Sequence, residues 1–197
     1  HFALHITPLS VADKFHEQIE IKQGAWIFTS ATLAVSGDFK HFTDRLGLKP
    51  KQQFSLPSPF DYEKQARLCV PRYLPEPNSP GLADKLVRML APVIEENDGR
   101  CFFLCTSHSM MRELGERFRE VLDLPVLMQG EMSKQKTLAE FMELGNALLV
   151  ATGAFWEGID VRGDALSCVI IDKLPFTAPD DPLLKARIED CRLRGGE

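Results

Sequence analysis

From residue 66 onward, short runs of β-branched and aromatic residues alternate with longer stretches in which apolar residues recur at helical spacing. That alternation constrains the fold more than any other feature, because consecutive parallel strands need a crossover and a helix supplies it. The expected class is α/β, a doubly wound, mainly parallel sheet with helices on both faces. Strands are expected at Ala66 to Val70, Cys101 to Cys105, Val126 to Met128, Ala147 to Thr152 and Ser167 to Asp172. The Cys101, Ala147 and Ser167 runs are apolar at consecutive positions, as strands covered on both faces are.

Between the strands, Leu82, Leu86, Met89 or Leu90, and Val93 mark one helical face, which Pro92 should kink late. Met111, Leu114, Phe118 and Leu122 mark a second helix, entered through Thr106-Ser107-His108-Ser109, a natural N-cap run. Ser133 can cap a third, bearing Leu138, Phe141 and Met142, which Gly145-Asn146 would end. The charged tail from Asp181 to Arg194 reads as one more helix. The first 65 residues differ: they hold a strand and helix within Phe2 to Gln18, a strand at Ala25 to Ser30, and a Pro-rich stretch near Leu56 to Phe60 that is a candidate boundary.

The 197 residues are 44% hydrophobic and 26% charged, enough to bury one or two cores without disulfides or metals. The longest apolar runs, such as Ala147 to Ala151, fall far below the roughly 18 residues a membrane-spanning helix needs, which excludes a transmembrane protein. Five cysteines (Cys69, Cys101, Cys105, Cys168, Cys191) contain no C-x-x-C pair, which argues against a disulfide framework or zinc ribbon and for reduced, cytosolic thiols. The net charge of -5 gives no general pull toward nucleic acid, although a local patch could still bind phosphate. The chain opens on His1 rather than Met and stops at Arg194-Gly195-Gly196-Glu197 without a closing element, so it is expected to be a piece of a longer protein.

In a doubly wound sheet, ligands bind beyond the carboxyl ends of the strands. Four strand ends therefore carry the informative residues: Thr29-Ser30-Ala31-Thr32-Leu33; Thr106-Ser107-His108-Ser109; Thr152 to Asp160 (TGAFWEGID); and Asp172-Lys173-Leu174-Pro175-Phe176. Small hydroxyl residues and glycines at such turns suit phosphate, because backbone N–H groups approach an oxyanion and helix N-termini favour negative charge. The same residues also serve as plain helix caps.

The run VATGAFWEGIDVRG (Val150 to Gly163) resembles motif V of the XPD/DinG-like superfamily 2 DNA helicases, most nearly their YoaA type. IFTSATL (Ile27 to Leu33) resembles motif III, and CFFLCTSHSMM (Cys101 to Met111) resembles motif IV. Gln129-Gly130 and Val169 to Arg187 also match in order and spacing, so the resemblance covers nearly the whole chain. It implies a 5′-to-3′ motor of two RecA-like domains that closes on ATP and Mg²⁺ and steps along single-stranded DNA, acting in bacterial, cytoplasmic DNA repair. Residues 1–57 would end the first motor domain and residues 58–197 would form the second, truncated before motif VI. By that resemblance Ser30, Ala31 and Thr32 couple hydrolysis to DNA movement. Thr106, Ser107, His108, Thr152 and Gly153 would meet DNA, and Glu157, Gly158 and Asp160 would face the nucleotide cleft. Phe155, Trp156 and Phe176 are candidates for base stacking, with a place in the core as the alternative.

Departures matter as much. The chain has no G-x-x-x-x-G-K-[ST] loop and no D-E-x-H motif, and Lys173 follows Asp172 where a second metal-binding acid would stand, so Asp172 reads as structural. Ala154 occupies a position where relatives often carry serine. The resemblance puts a 4Fe–4S cluster in the parent protein but outside this segment, and the arginine-finger motif beyond Glu197, so the segment alone is expected to be inactive. His1, His5, His16 and His41 lack ligand-like spacing, and Asp180-Asp181-Pro182 reads as a turn and cap. A competing reading is an interaction module of motor fold that docks a partner; the resemblance offers the chi subunit of the clamp loader. A small-molecule α/β enzyme lacks both a dinucleotide fingerprint and a nucleophile elbow.

Overall fold

A computed structural model of the chain describes residues 6–22, 24–77, 79–176, 181–193 and 195. The elements in chain order are α1 (Ala12–Ile21), α2 (Lys40–Leu46), α3 (Tyr62–Gln65), α4 (Leu82–Glu96), β1 (Cys101–Leu104), α5 (His108–Val121), β2 (Val126–Met128), α6 (Lys134–Leu144), β3 (Leu148–Ala151), β4 (Cys168–Ile171) and α7 (Pro182–Leu193). They fall into two compact units, Cys69–Phe176 and the remainder, residues 1–68 with 177–197.

The Cys69–Phe176 unit is built on one sheet of order β2-β3-β1-β4 in which every pair is parallel. The α/β parallel class read from the alternation of strands and helices is therefore the class observed. Successive residues of a strand point to opposite faces, and the two faces have separate cores. Cys101, Phe103, Val126, Met128, Leu148 and Val150 pack with α4 and α5 through Leu86, Ile94, Met111, Leu114 and Phe118. On the other face Phe102, Leu104, Leu127, Leu149 and Ala151 pack with Phe141 of α6 and with Phe155. The Phe102 and Phe141 rings stand 4.8 Å apart, edge to face.

The helix ends follow local chemistry. Ser107 Oγ accepts the Met110 N–H at the start of α5, and Ser133 Oγ accepts the Lys136 N–H at the start of α6. Gly145 ends α6 in the left-handed conformation, φ 69°. The helix α4 runs through Pro92 to Glu96. No helix among the described residues is long and apolar enough to cross a membrane.

Three expectations need correction. The run Ala66 to Val70 forms no strand, and Leu68 and Val70 are 90% and 73% exposed. An apolar run fixes a strand only when a neighbour supplies its ladder, and β2 and β4 close the sheet without it. Ala25 to Ser30 is likewise not a strand: Trp26 stacks on Phe28 at 6.3 Å, and both rings meet Phe15 of α1 while Phe28 also meets Phe42 of α2. The strand β4, expected to be buried, is an edge whose Val169 and Ile171 are exposed. Of the early strand and helix, only the helix is seen, as α1; residues 1–5, Arg194 and Asp180 lie outside the described residues.

A fork of charge ties α5 to the turn after β2. The Arg119 guanidinium donates to both Glu131 carboxylate oxygens at 2.8 and 2.7 Å and to the Val126 carbonyl. The hydrogen bond from Arg119 holds the Glu131 carboxyl below the usual carboxylate range. A depressed folded pKa stabilises above the unfolded value and is lost as pH falls through the folded one. Glu131→Gln is therefore expected to lower stability modestly at pH 7, and the deficit against wild type should shrink as pH falls below about 4.5. Urea midpoints of both proteins from pH 7 to 3 test this; a deficit that does not change with pH would refute it.

Candidate functional site

The carboxyl ends of the four strands meet in one polar row. Parallel pairing brings the ends level, with Leu104 of β1 opposite both Ala151 of β3 and Ile171 of β4. The next residue of each strand then leaves the sheet beside its neighbours. After β1, the Cys105 N–H donates to the Ala151 carbonyl at 2.7 Å; after β4, the Asp172 N–H donates to Leu104 O at 3.1 Å. Side chains extend the row. The Thr106 N–H donates to one Asp172 carboxylate oxygen at 3.0 Å and its hydroxyl to the other at 3.4 Å. The Thr152 N–H and hydroxyl both donate to Gln129 Oε1, at 2.7 and 3.1 Å. From β2 to β4 the row reads Gln129, Thr152, Thr106, Asp172, in the order of the sheet.

Under this row the Cys105 thiol is buried, and its pKa is pushed up to about 12 by burial and then by the nearby Asp172 carboxylate, with Lys173 opposing. It is a neutral thiol at neutral pH and no nucleophile.

The row shows how each predicted residue is held. Thr106 and His108 are exposed, and the Ser107 hydroxyl is engaged as the cap of α5. Thr152 is buried and oriented by Gln129, while Gly153 beside it is exposed. From Gly153 a short 3-10 turn runs to Phe155, closed by Phe155 N–H on Thr152 O and Trp156 N–H on Gly153 O. Phe155 takes the core alternative and packs with Phe141. Trp156 is half-buried, and its indole N–H is enclosed without an acceptor. Phe176 is exposed, 85%. Glu157, Gly158 and Asp160 are exposed on the turn that follows; Gly158 has φ 68° with no atom near where a Cβ would stand, and Asp160 pairs with Arg162 at 3.0 Å. Ser30 and Thr32 belong to the other unit, where Ser30 Oγ lies 3.2 Å from Thr32 Oγ1 and accepts the Thr32 N–H.

Two residues of the row had no assigned role in the sequence, or only a structural one. Gln129 was visible only as half of a Gln-Gly pair, and its bond to Thr152 spans 23 positions. Asp172, expected to be structural, accepts from the Thr106 N–H and hydroxyl.

The residues fit the two implied cofactors differently. Glu157 and Asp160 offer exposed carboxylates beside an open glycine turn, the type of oxygen donor a Mg²⁺ ion would take. For an iron–sulfur cluster, Cys101 and Cys105 are buried in the sheet, and no three His, Cys, Asp or Glu side chains among the described residues group to hold a metal.

A parallel sheet whose strand ends line up polar side chains, with an open turn beside them, is the frame of a ligand-binding α/β domain. Residues 90–197 match the helicase C-terminal domain family, and the chain belongs to that family. It is 66% identical over 197 residues to the ATP-dependent DNA helicase YoaA of Escherichia coli K12, and 63% identical over 196 residues to the YoaA of Haemophilus influenzae. It is 36% identical over 198 residues to the ATP-dependent helicase DinG of Mycobacterium tuberculosis H37Rv. These alignments cover 100%, 100% and 98% of the chain but only 31%, 31% and 30% of the relatives, so the chain spans about a third of their length.

Proposed function

We propose that the chain is the second-motor-domain segment of an ATP-dependent DNA helicase, with residues 1–57 ending the first motor domain and 58–197 forming the second. The observation that carries this reading is the strand-end row, with the exposed 157–160 turn hanging from Thr152. One arrangement thereby joins a hydroxyl-rich edge suited to DNA phosphates to a carboxylate-bearing turn suited to a nucleotide.

In this reading Thr106, Ser107, His108 and Gly153 face the phosphates of a single strand, Thr152 sets the edge on which they stand, and Trp156 adds a stacking surface. Glu157, Gly158 and Asp160 face ATP and Mg²⁺, and Ser30 and Thr32 link hydrolysis to movement. Bound ATP supplies the phosphoryl group that leaves to water. Closure of the two motor domains then shifts the row along the strand, because Thr152 belongs to both the DNA edge and the nucleotide turn. The parent protein is read as a 5′-to-3′ motor of DNA repair in the bacterial cytoplasm, with its 4Fe–4S cluster outside this segment. The names of the YoaA and DinG relatives support the motor reading.

The test is ATP hydrolysis by the full-length parent with and without single-stranded DNA, at two salt concentrations because phosphate contacts are salt-sensitive. Stimulation by about tenfold or more, weakening with salt, is the expected result. A folded parent without DNA-stimulated hydrolysis would replace this reading with the docking module, for which the clamp-loader chi subunit is the partner to assay.

A further inference from the structure

Lys134 is the first residue of α6, a position where the helix dipole disfavours a cation. Its side chain does not run out into water. The ammonium lies 2.6 Å from the Ala154 carbonyl oxygen and 3.5 Å from that of Glu157, and 5.6 Å above the centre of the Phe155 ring. One donor group thus closes over three points of the turn that carries Gly153 to Glu157, at residues 154, 155 and 157. A lysine on an exposed helix start otherwise keeps its rotamer freedom in solvent, and ordering it costs entropy. Charge-assisted bonds to two carbonyls and the face of an aromatic ring offset that cost and the unfavourable dipole.

The turn is also held by packing, with Phe155 in the core beside Phe141 and Trp156 against the same cluster. Its own backbone supplies the bonds of Phe155 to Thr152 and of Trp156 to Gly153, and Gln129 fixes Thr152 at its start. Beyond Trp156, Lys134 is the tie from α6 that reaches Glu157.

We propose that Lys134 is a positioning residue that latches the 153–157 turn to α6, so that Glu157, Gly158 and Asp160 leave the turn in one fixed direction. The latch is a property of the turn; its consequence for hydrolysis rests on the helicase reading above.

The experiment uses the full-length parent with Lys134→Met and Lys134→Arg. Hydrogen exchange in peptides covering 153–157 is expected to speed up by about tenfold in Lys134→Met and not in β1, because only the local opening changes. Maximal DNA-stimulated turnover should fall by about tenfold with the KM for ATP nearly unchanged, since a loosely held turn misplaces groups that act in the transition state. Lys134→Arg, which keeps charge and reach, should restore both readouts substantially. Wild-type exchange in Lys134→Met overturns the latch, and it does so equally if turnover is intact or if only the half-saturating DNA concentration rises, the latter marking Lys134 as a direct phosphate contact. Should the wild-type parent hydrolyse no ATP, the helicase reading fails by itself and the exchange result still decides the latch.

Discussion

The full-length parent carrying Asp160→Ala is expected to lose DNA-stimulated ATP hydrolysis by about 100-fold or more, the scale of removing one charge aimed at a reacting centre. The same substitution should leave its melting temperature within a degree or so. The loss of hydrolysis rests on the nucleotide-facing role proposed for Asp160, and the unchanged melting temperature on its geometry. Asp160 is exposed, and its partner is Arg162, two residues away and itself 90% exposed. An ion pair in that setting contributes little to stability because solvent screens it and ordering two side chains costs entropy. A large loss of turnover therefore cannot arise from unfolding. Arg162→Ala breaks the same pair without touching the carboxylate, and it should keep most of the activity. Normal turnover in a folded Asp160→Ala protein would remove Asp160 from the nucleotide site, and an equal loss in Arg162→Ala would shift the role to the pair.

Much of the sheet was legible because burial on both faces writes itself into consecutive apolar positions. Cys101 to Leu104 and Leu148 to Ala151 are such runs, and both are strands buried at every position. Ser107, Ser133 and Gly145 were legible for a related reason, since caps satisfy helix ends with neighbours close in sequence. The edge position of β4 was not, because a strand's neighbours are set by the rest of the sheet, and Val169 and Ile171 are apolar whether or not another layer covers them. Residues 66–70 failed for the same cause.

The site divides along the same line. Motif-like runs located Thr106, Thr152 and the 157–160 turn, but what holds them comes from elsewhere in the chain. Asp172 reaches Thr106 across 66 positions, and Lys134 reaches Ala154 across 20. A glutamine before a glycine and a lysine after a serine are ordinary surface residues in a sequence. Their contacts appear only in three dimensions: Gln129 meets Thr152 where β2 and β3 pair in parallel, and Lys134 meets the 153–157 turn from α6.

Gly99→Ala should destabilise the chain by about 3 kcal/mol or more, the sum of a left-handed backbone strain and a clash that cannot relax. The turn from α4 to β1 holds three residues at positive φ in succession, Asp98 at 54°, Gly99 at 67° and Arg100 at 45°. It is pinned by the Gly99 N–H on Ile94 O, by Asn97 Nδ2 on Gly99 O at 2.7 Å, and by Ser167 Oγ on Asn97 Oδ1 at 3.1 Å. A Cβ at Gly99 would run into the Asn146 carbonyl, with the Ala147 backbone nitrogen 2.9 Å away. That segment is not a side chain able to swing aside, since Ala147 O accepts the Cys101 N–H where β1 and β3 begin to pair. Relief would have to separate the two central strands or unwind the turn. Gly145→Ala supplies the control: φ is 69°, the same strain, with nothing within 4 Å of the added carbon, so about 1 kcal/mol is expected there. Urea midpoints of the two variants separate the contributions. A Gly99→Ala protein no less stable than Gly145→Ala would show that strain alone, and not the close approach of the α6–β3 connection, sets the need for glycine at this turn.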